Sequence, residues 1–164
     1  MSKGQENFEF IISVMVFLSV TSFITIQIIN NISSMRRDLL TEDMRSTAFQ
    51  ISNIIILDGG YPNNWNSGNV ERIGLADGFY SISQNKLNEL KNICESDGGY
   101  KKFLSIIGTD VSKDIYLNIS KLSGETLVLC TPEVDSSIRS RAEILRTSFL
   151  KGEGVIKIDV KVIL

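Results

Sequence analysis

The sequence predicts an α+β fold in which one long N-terminal helix, half membrane-spanning and half amphipathic, packs on an antiparallel β-sheet head. Three observations predict it. Residues 10–29 read FIISVMVFLSVTSFITIQII without one charge, a run of about 20 residues that crosses a hydrocarbon core of roughly 30 Å as a helix. Beyond that run, apolar residues keep recurring at three- and four-residue steps, which is helical spacing. From Ile115 onward the apolar period falls to two, the mark of half-buried strands.

The serines and threonines of the apolar run suit lipid, because each hydroxyl can return to a carbonyl one turn earlier, and Gln27 lies near an interface. A cleavable secretory signal is the competing reading. Such a signal has a shorter apolar stretch, about 7 to 15 residues, and a small-residue cleavage site. Here the run is longer and Asn30-Asn31-Ile32-Ser33 follows it. Lys3 precedes the helix while Arg36 and Arg37 follow it closely, so the excess of basic residues gives its orientation no direction.

Helical spacing continues through Ile28, Ile32, Met35 and Leu39, then Leu40, Met44, Ala48, Ile51 and Ile55. Arg36, Arg37, Asp38, Glu42, Asp43 and Arg45 fall between them, so the opposite face is charged and wet. Asp58-Gly59-Gly60 should end the helix, with glycine available for a left-handed cap and Pro62 preventing resumption.

The turn-rich stretch 61–69, YPNNWNSGN, holds the only tryptophan. Trp65 either plugs the core of the head or stays exposed to bind a surface or a glycan. Residues 70–76 are expected to form a short strand. Ser81 or Ser83 is then expected to cap a helix carrying Leu87, Leu90, Ile93 and Cys94 on one side. After Asp97-Gly98-Gly99, the residues Tyr100, Phe103, Leu104 and Ile107 predict a second short amphipathic helix. Residues 115–120 and 126–131, separated by a turn with Ser123-Gly124, predict an antiparallel hairpin. The stretch 139–150 fits either strand or helix. Ile156, Ile158, Val160 and Val162 alternate with Lys157, Asp159 and Lys161, which predicts a strand with one face buried.

Chemistry is sparse. The 17 basic and 19 acidic residues leave a formal charge of -2, too weak a field to recruit nucleic acid. There is no histidine, so the commonest general base and catalytic zinc ligand is missing. No nucleophile motif, phosphate-binding glycine loop or metal-ligand pair appears, and neither an enzyme nor a cofactor is expected. Cys94 and Cys130 are far apart and form no CxxC motif. They are either one disulfide or two small buried hydrophobes. Asn31 and Asn118 each open an Asn-x-Ser sequon. Asn31 lies too near the expected membrane, which leaves Asn118 as the candidate glycan acceptor.

The first ten residues, MSKGQENFEF, place Lys3-Gly4-Gln5 directly before the apolar run and Glu9 five residues after Gly4. This resembles the class III signal peptide of archaeal type IV pilins, which a prepilin peptidase cuts after the glycine while the helix stays attached. The commonest form carries serine two residues before the glutamate, where this chain has Asn7. Residues 61–108 also resemble a block found in archaeal pilin-like proteins. The resemblance implies processing at Lys3, Gly4 and Gln5, a mature start at Gln5, and Glu9 as an assembly residue; otherwise Glu9 is a solvated headgroup-level carboxylate. It implies a type IV pilin-like fold divided into a leader at 1–4, a transmembrane or filament-core helix at 5–29, an amphipathic continuation at 30–58 and an α+β head at 59–164. The implied role is a structural subunit, more often minor than major, of a surface filament. Its partners are the prepilin peptidase, other pilin subunits, the assembly machinery and membrane lipid. The implied location is the cell membrane, with the head outside, and the filament. A lone membrane-anchored binding module that never polymerises is the alternative.

Overall fold

The computed structural model describes residues 3–108, 112–132 and 141–163, with side chains from Phe8 onward except that of Ser33. The chain divides into two compact units, Met1–Leu40 and Thr41–Leu164. Helix α1 runs from Lys3 to Leu57. In the first unit its apolar residues, from Phe8 through Leu39, are exposed.

In the second unit, Met44, Ala48, Ile51 and Ile55 of α1 are buried, as the helical spacing requires. Among the described residues, six strands and two helices complete this unit. They are β1 (Ala76–Gly78), β2 (Ser81–Ile82), α2 (Gln84–Glu95), α3 (Gly99–Ile107), β3 (Asp114–Lys121), β4 (Thr126–Cys130), β5 (Arg141–Leu150) and β6 (Gly154–Ile163). The strand order is β1-β2-β5-β6-β3-β4. The hairpin β3–β4 is antiparallel as expected, and β6 lies between β5 and β3, antiparallel to both.

One core joins these elements. Ile115, Leu117 and Ile119 of β3 and Ile156, Ile158, Val160 and Val162 of β6 are fully buried with the α1 residues and with Leu87, Leu90, Ile93 and Phe103 of the short helices. Alternation explains the assignment, because successive side chains of a strand point to opposite faces. Strands β3 and β6 therefore place every second residue in the core. Trp65 is in that core as well, and its indole N–H donates to the Gly74 carbonyl at 2.9 Å.

Two expectations are corrected. The sheet is mixed, since β2 and β5 are parallel at Ser81↔Phe149 and Ile82↔Leu150. Residues 70–75 form no strand and β1 begins only at Ala76; before it, Arg72 makes an isolated bridge to Tyr61. The amides of Leu75 and Ala76 instead close the end of α1, donating to the carbonyls of Ile55 (3.1 Å) and Asp58 (2.9 Å), groups a helix terminus leaves unpaired. Ser81 belongs to β2, and Ser83 is the N-cap of α2 without a side-chain cap bond. The stretch of ambiguous period resolves as β5 from Arg141; Arg139 lies outside the described residues.

Candidate functional site

Along residues 10–29 the helix surface is largely apolar, and three of its hydroxyls turn back onto the backbone. Ser19 Oγ donates to the Met15 carbonyl at 2.8 Å, Thr21 Oγ1 to that of Phe17 at 2.9 Å, and Thr25 Oγ1 to that of Thr21 at 2.8 Å. Each bond spans four residues, which removes the cost of placing a lone hydroxyl in hydrocarbon. Phe10, Phe17, Phe23 and the aliphatic residues around them stand outward. This helix is long and apolar enough to cross a membrane. Lys3, Gly4 and Gln5 form its first turn, and their side chains are outside the described set. Glu9 is exposed, four residues beyond Gln5.

In the head, Cys94 of α2 and Cys130 of β4 are joined by a disulfide with Cα atoms 5.2 Å apart. The bond ties the helix layer to one edge of the sheet. A second tie is Tyr100 of α3, whose hydroxyl accepts from the Ile115 amide at 2.9 Å and donates to Asp114 at 3.3 Å. Burial, with the Asp114 carboxylate beside it, pushes this phenol up to about 12 even though the amide bond acts the other way.

Asn118 does not stand on a loop. It occupies the middle of β3 between Leu129 of β4 and Asp159 of β6, and its Oδ1 is buried. A glycan acceptor needs a freely approachable amide, and a paired interior strand is a poor setting for one. Asp159 Oδ1, directly across the ladder, is buried too, and neither oxygen has a hydrogen-bond partner. Burial raises the Asp159 carboxyl above its ordinary value, opposed by Lys161, whose Nζ lies 3.3 Å away. The folded state therefore holds its proton to higher pH than the unfolded chain does. Stability falls as pH rises from the ordinary aspartate range through the raised value. Asp159→Asn should abolish that component and supply an amide donor for Asn118. It is expected to raise stability at pH 7 by about 1 kcal/mol and to flatten the slope, measured by urea unfolding at pH 4 and pH 7. Equal slopes for the variant and the natural chain would remove Asp159 as their source.

The head also carries an open groove of about 530 Å³ lined by Glu42, Arg45, Ser46 and Phe49 of α1 and by Ile144 and Arg146 of β5. The Arg146 guanidinium sits 4.6 Å from the centre of the Phe49 ring, within cation–π range. Sequence reasoning missed this place. Phe49 falls outside the helical stripe of buried residues, and that is the one signal that could have pointed to it. Among the described residues, no group of three or more His, Cys, Asp or Glu side chains could hold a metal ion. Comparison of the chain with known protein families, with curated proteins and with solved structures finds no match.

Proposed function

We propose that the chain is an exported, pilin-like structural subunit of a surface filament, held in the membrane by its N-terminal helix until it is assembled. The observation that carries this reading is the apolar stretch of α1 with its large apolar side chains exposed from Phe8 to Leu39, Lys3-Gly4-Gln5 in its first turn and Glu9 close behind. Such a surface is stable only when lipid or other apolar helices cover it, and a filament core supplies the second kind of cover. The α+β head on a separate unit is compatible with this role. Prepilin peptidase, neighbouring subunits and the assembly machinery are the partners in this reading, and no catalytic activity is assigned.

Cleavage after Gly4 would create an amine at Gln5. Drawing Glu9 into an apolar core removes its hydration, a cost tolerable only with a positive partner. The new amine of a neighbouring subunit meets that need and would set the axial register of one helix against the next. Terminal sequencing of protein from native membranes should therefore begin at Gln5. Glu9→Ala and Glu9→Gln are expected to leave export, cleavage and head folding intact while lowering recovery in sheared filaments at least roughly tenfold, the effect expected of losing a buried charge partner. Incorporation of both variants at the natural level would leave Glu9 as an interfacial carboxylate and favour a tethered module that does not polymerise.

A further inference from the structure

We infer that the groove beside Phe49 is a binding site for an extended peptide carrying a carboxylate, which would add to the sheet along the open edge of β5. The first observation is that edge. β2 pairs with β5 only at Phe149 and Leu150, and no other strand among the described residues covers the rest of that side. The Phe149 amide points to it, donating to the Tyr80 carbonyl at 3.0 Å. Main-chain groups of alternate residues share an edge, and the pairing of β5 with β6 runs without a register shift. The N–H and C=O groups of Arg141, Glu143, Leu145 and Thr147 therefore face outward along the same side. Residues 141–147 offer roughly 23 Å of unpaired strand, the template used when proteins bind peptides by strand addition.

The second observation is charge. Side chains of an added strand would alternate between the two faces of the sheet, and those on the inner face would enter the groove. There they meet an apolar floor of Phe49, 46% exposed, and Ile144. Arg45 and Arg146 flank it, and neither has a carboxylate partner within salt-bridge distance among the described residues. Glu42 is the single acid lining the groove, so the local balance is positive. The Arg146 guanidinium lies over the Phe49 ring, a contact that engages its face and leaves its N–H groups for a carboxylate. A carboxylate beside apolar neighbours on an extended chain matches both features at once.

The test uses the full-length protein in detergent micelles and a fluorescent, end-capped heptapeptide with valine, aspartate and valine at its second, fourth and sixth positions and threonine elsewhere. Saturable binding is expected by anisotropy, weakening as salt rises. The counterpart with lysine in place of aspartate should bind at least roughly tenfold more weakly, and Arg146→Ala should weaken the acidic probe about as much. Leu145→Pro removes one outward N–H and leaves the bonds to β6 intact, a substitution edge strands tolerate, and it should abolish binding while circular dichroism stays unchanged. If that variant loses its folded spectrum, a heptapeptide N-methylated at its central residues replaces it, and should not bind to the natural protein. Three outcomes overturn the inference. They are equal binding of the acidic and lysine probes, binding that survives both the Arg146 and the backbone blocks, and no saturation by the acidic probe. Self-association of the protein that Leu145→Pro dissolves, without peptide binding, would assign the edge to a second copy instead.

Discussion

Gly99→Ala is expected to destabilise the head by about 3 kcal/mol, the upper part of the range for overpacking a well-filled site. In most helices this exchange stabilises, by up to roughly 1 kcal/mol, because alanine is the better helix former. Here the sign reverses. A β-carbon at Gly99 would overlap the carbonyl oxygen of Ile93 and press on Ser96 Oγ. That carbonyl cannot move freely, since it accepts from the Ser96 amide and from Ser96 Oγ at 2.7 Å, and its neighbour Cys94 is held to β4. Gly108 is the control. It has a left-handed φ of 71° with nothing within 4 Å of an added β-carbon, so Gly108→Ala should cost only the backbone penalty of about 1 to 2 kcal/mol. Urea unfolding of both variants decides the matter, and a Gly99→Ala protein as stable as the natural one would show that the α2–α3 junction yields.

The second large effect belongs to the disulfide. Cys94 and Cys130 are 36 residues apart, and closing a loop of that length restricts the unfolded chain by an amount worth about 4 kcal/mol on the entropy model. The Cys94→Ala/Cys130→Ala variant is expected to lose most of that stability while keeping its secondary structure. Burial makes the two positions unequal. Cys130 is 1% exposed in the core, whereas Cys94 is packed at its margin. Cys130→Ser alone, which adds an unpaired buried hydroxyl, should therefore be worse than Cys94→Ser alone. Identical unfolding midpoints for oxidised and reduced natural protein would contradict the loop argument.

Much of the head could be read from the sequence wherever a local pattern and its burial agree. Ile156, Ile158, Val160 and Val162 alternate in the chain and are all buried in β6. Leu87, Leu90 and Ile93 share one face of α2 for the same reason. β5 resisted assignment because its pattern conflicts with its position. Leu145, 61% exposed, and Phe149 point away from the core, while Arg146 lies on the inner face beside Phe49. Near an open sheet edge, neither face demands a consistent type of residue. The parallel pairing of β2 with β5 spans two residues contributed by distant segments, and no local spacing encodes it. Residues 70–76 misled because their apolar positions resemble a strand, while the amides of Leu75 and Ala76 cap the end of α1. The groove escaped notice since it is assembled from one helix and one strand nearly a hundred residues apart, by side chains that are individually ordinary surface groups.

Within the head, Lys113 ties the start of β3 to Asp43 of α1 at 2.7 Å, and Asp114 pairs with Ile163 near the close of β6. The polypeptide thus enters the head and finishes its last strand at the same end, while the turn at Lys151–Gly152–Glu153 lies at the other. For anyone labelling the protein, a tag fused after β6 would crowd the place where α1 enters the head. An epitope or fluorophore inserted at Gly152, where a left-handed turn meets no neighbour, would instead project from the far end and leave that entry clear.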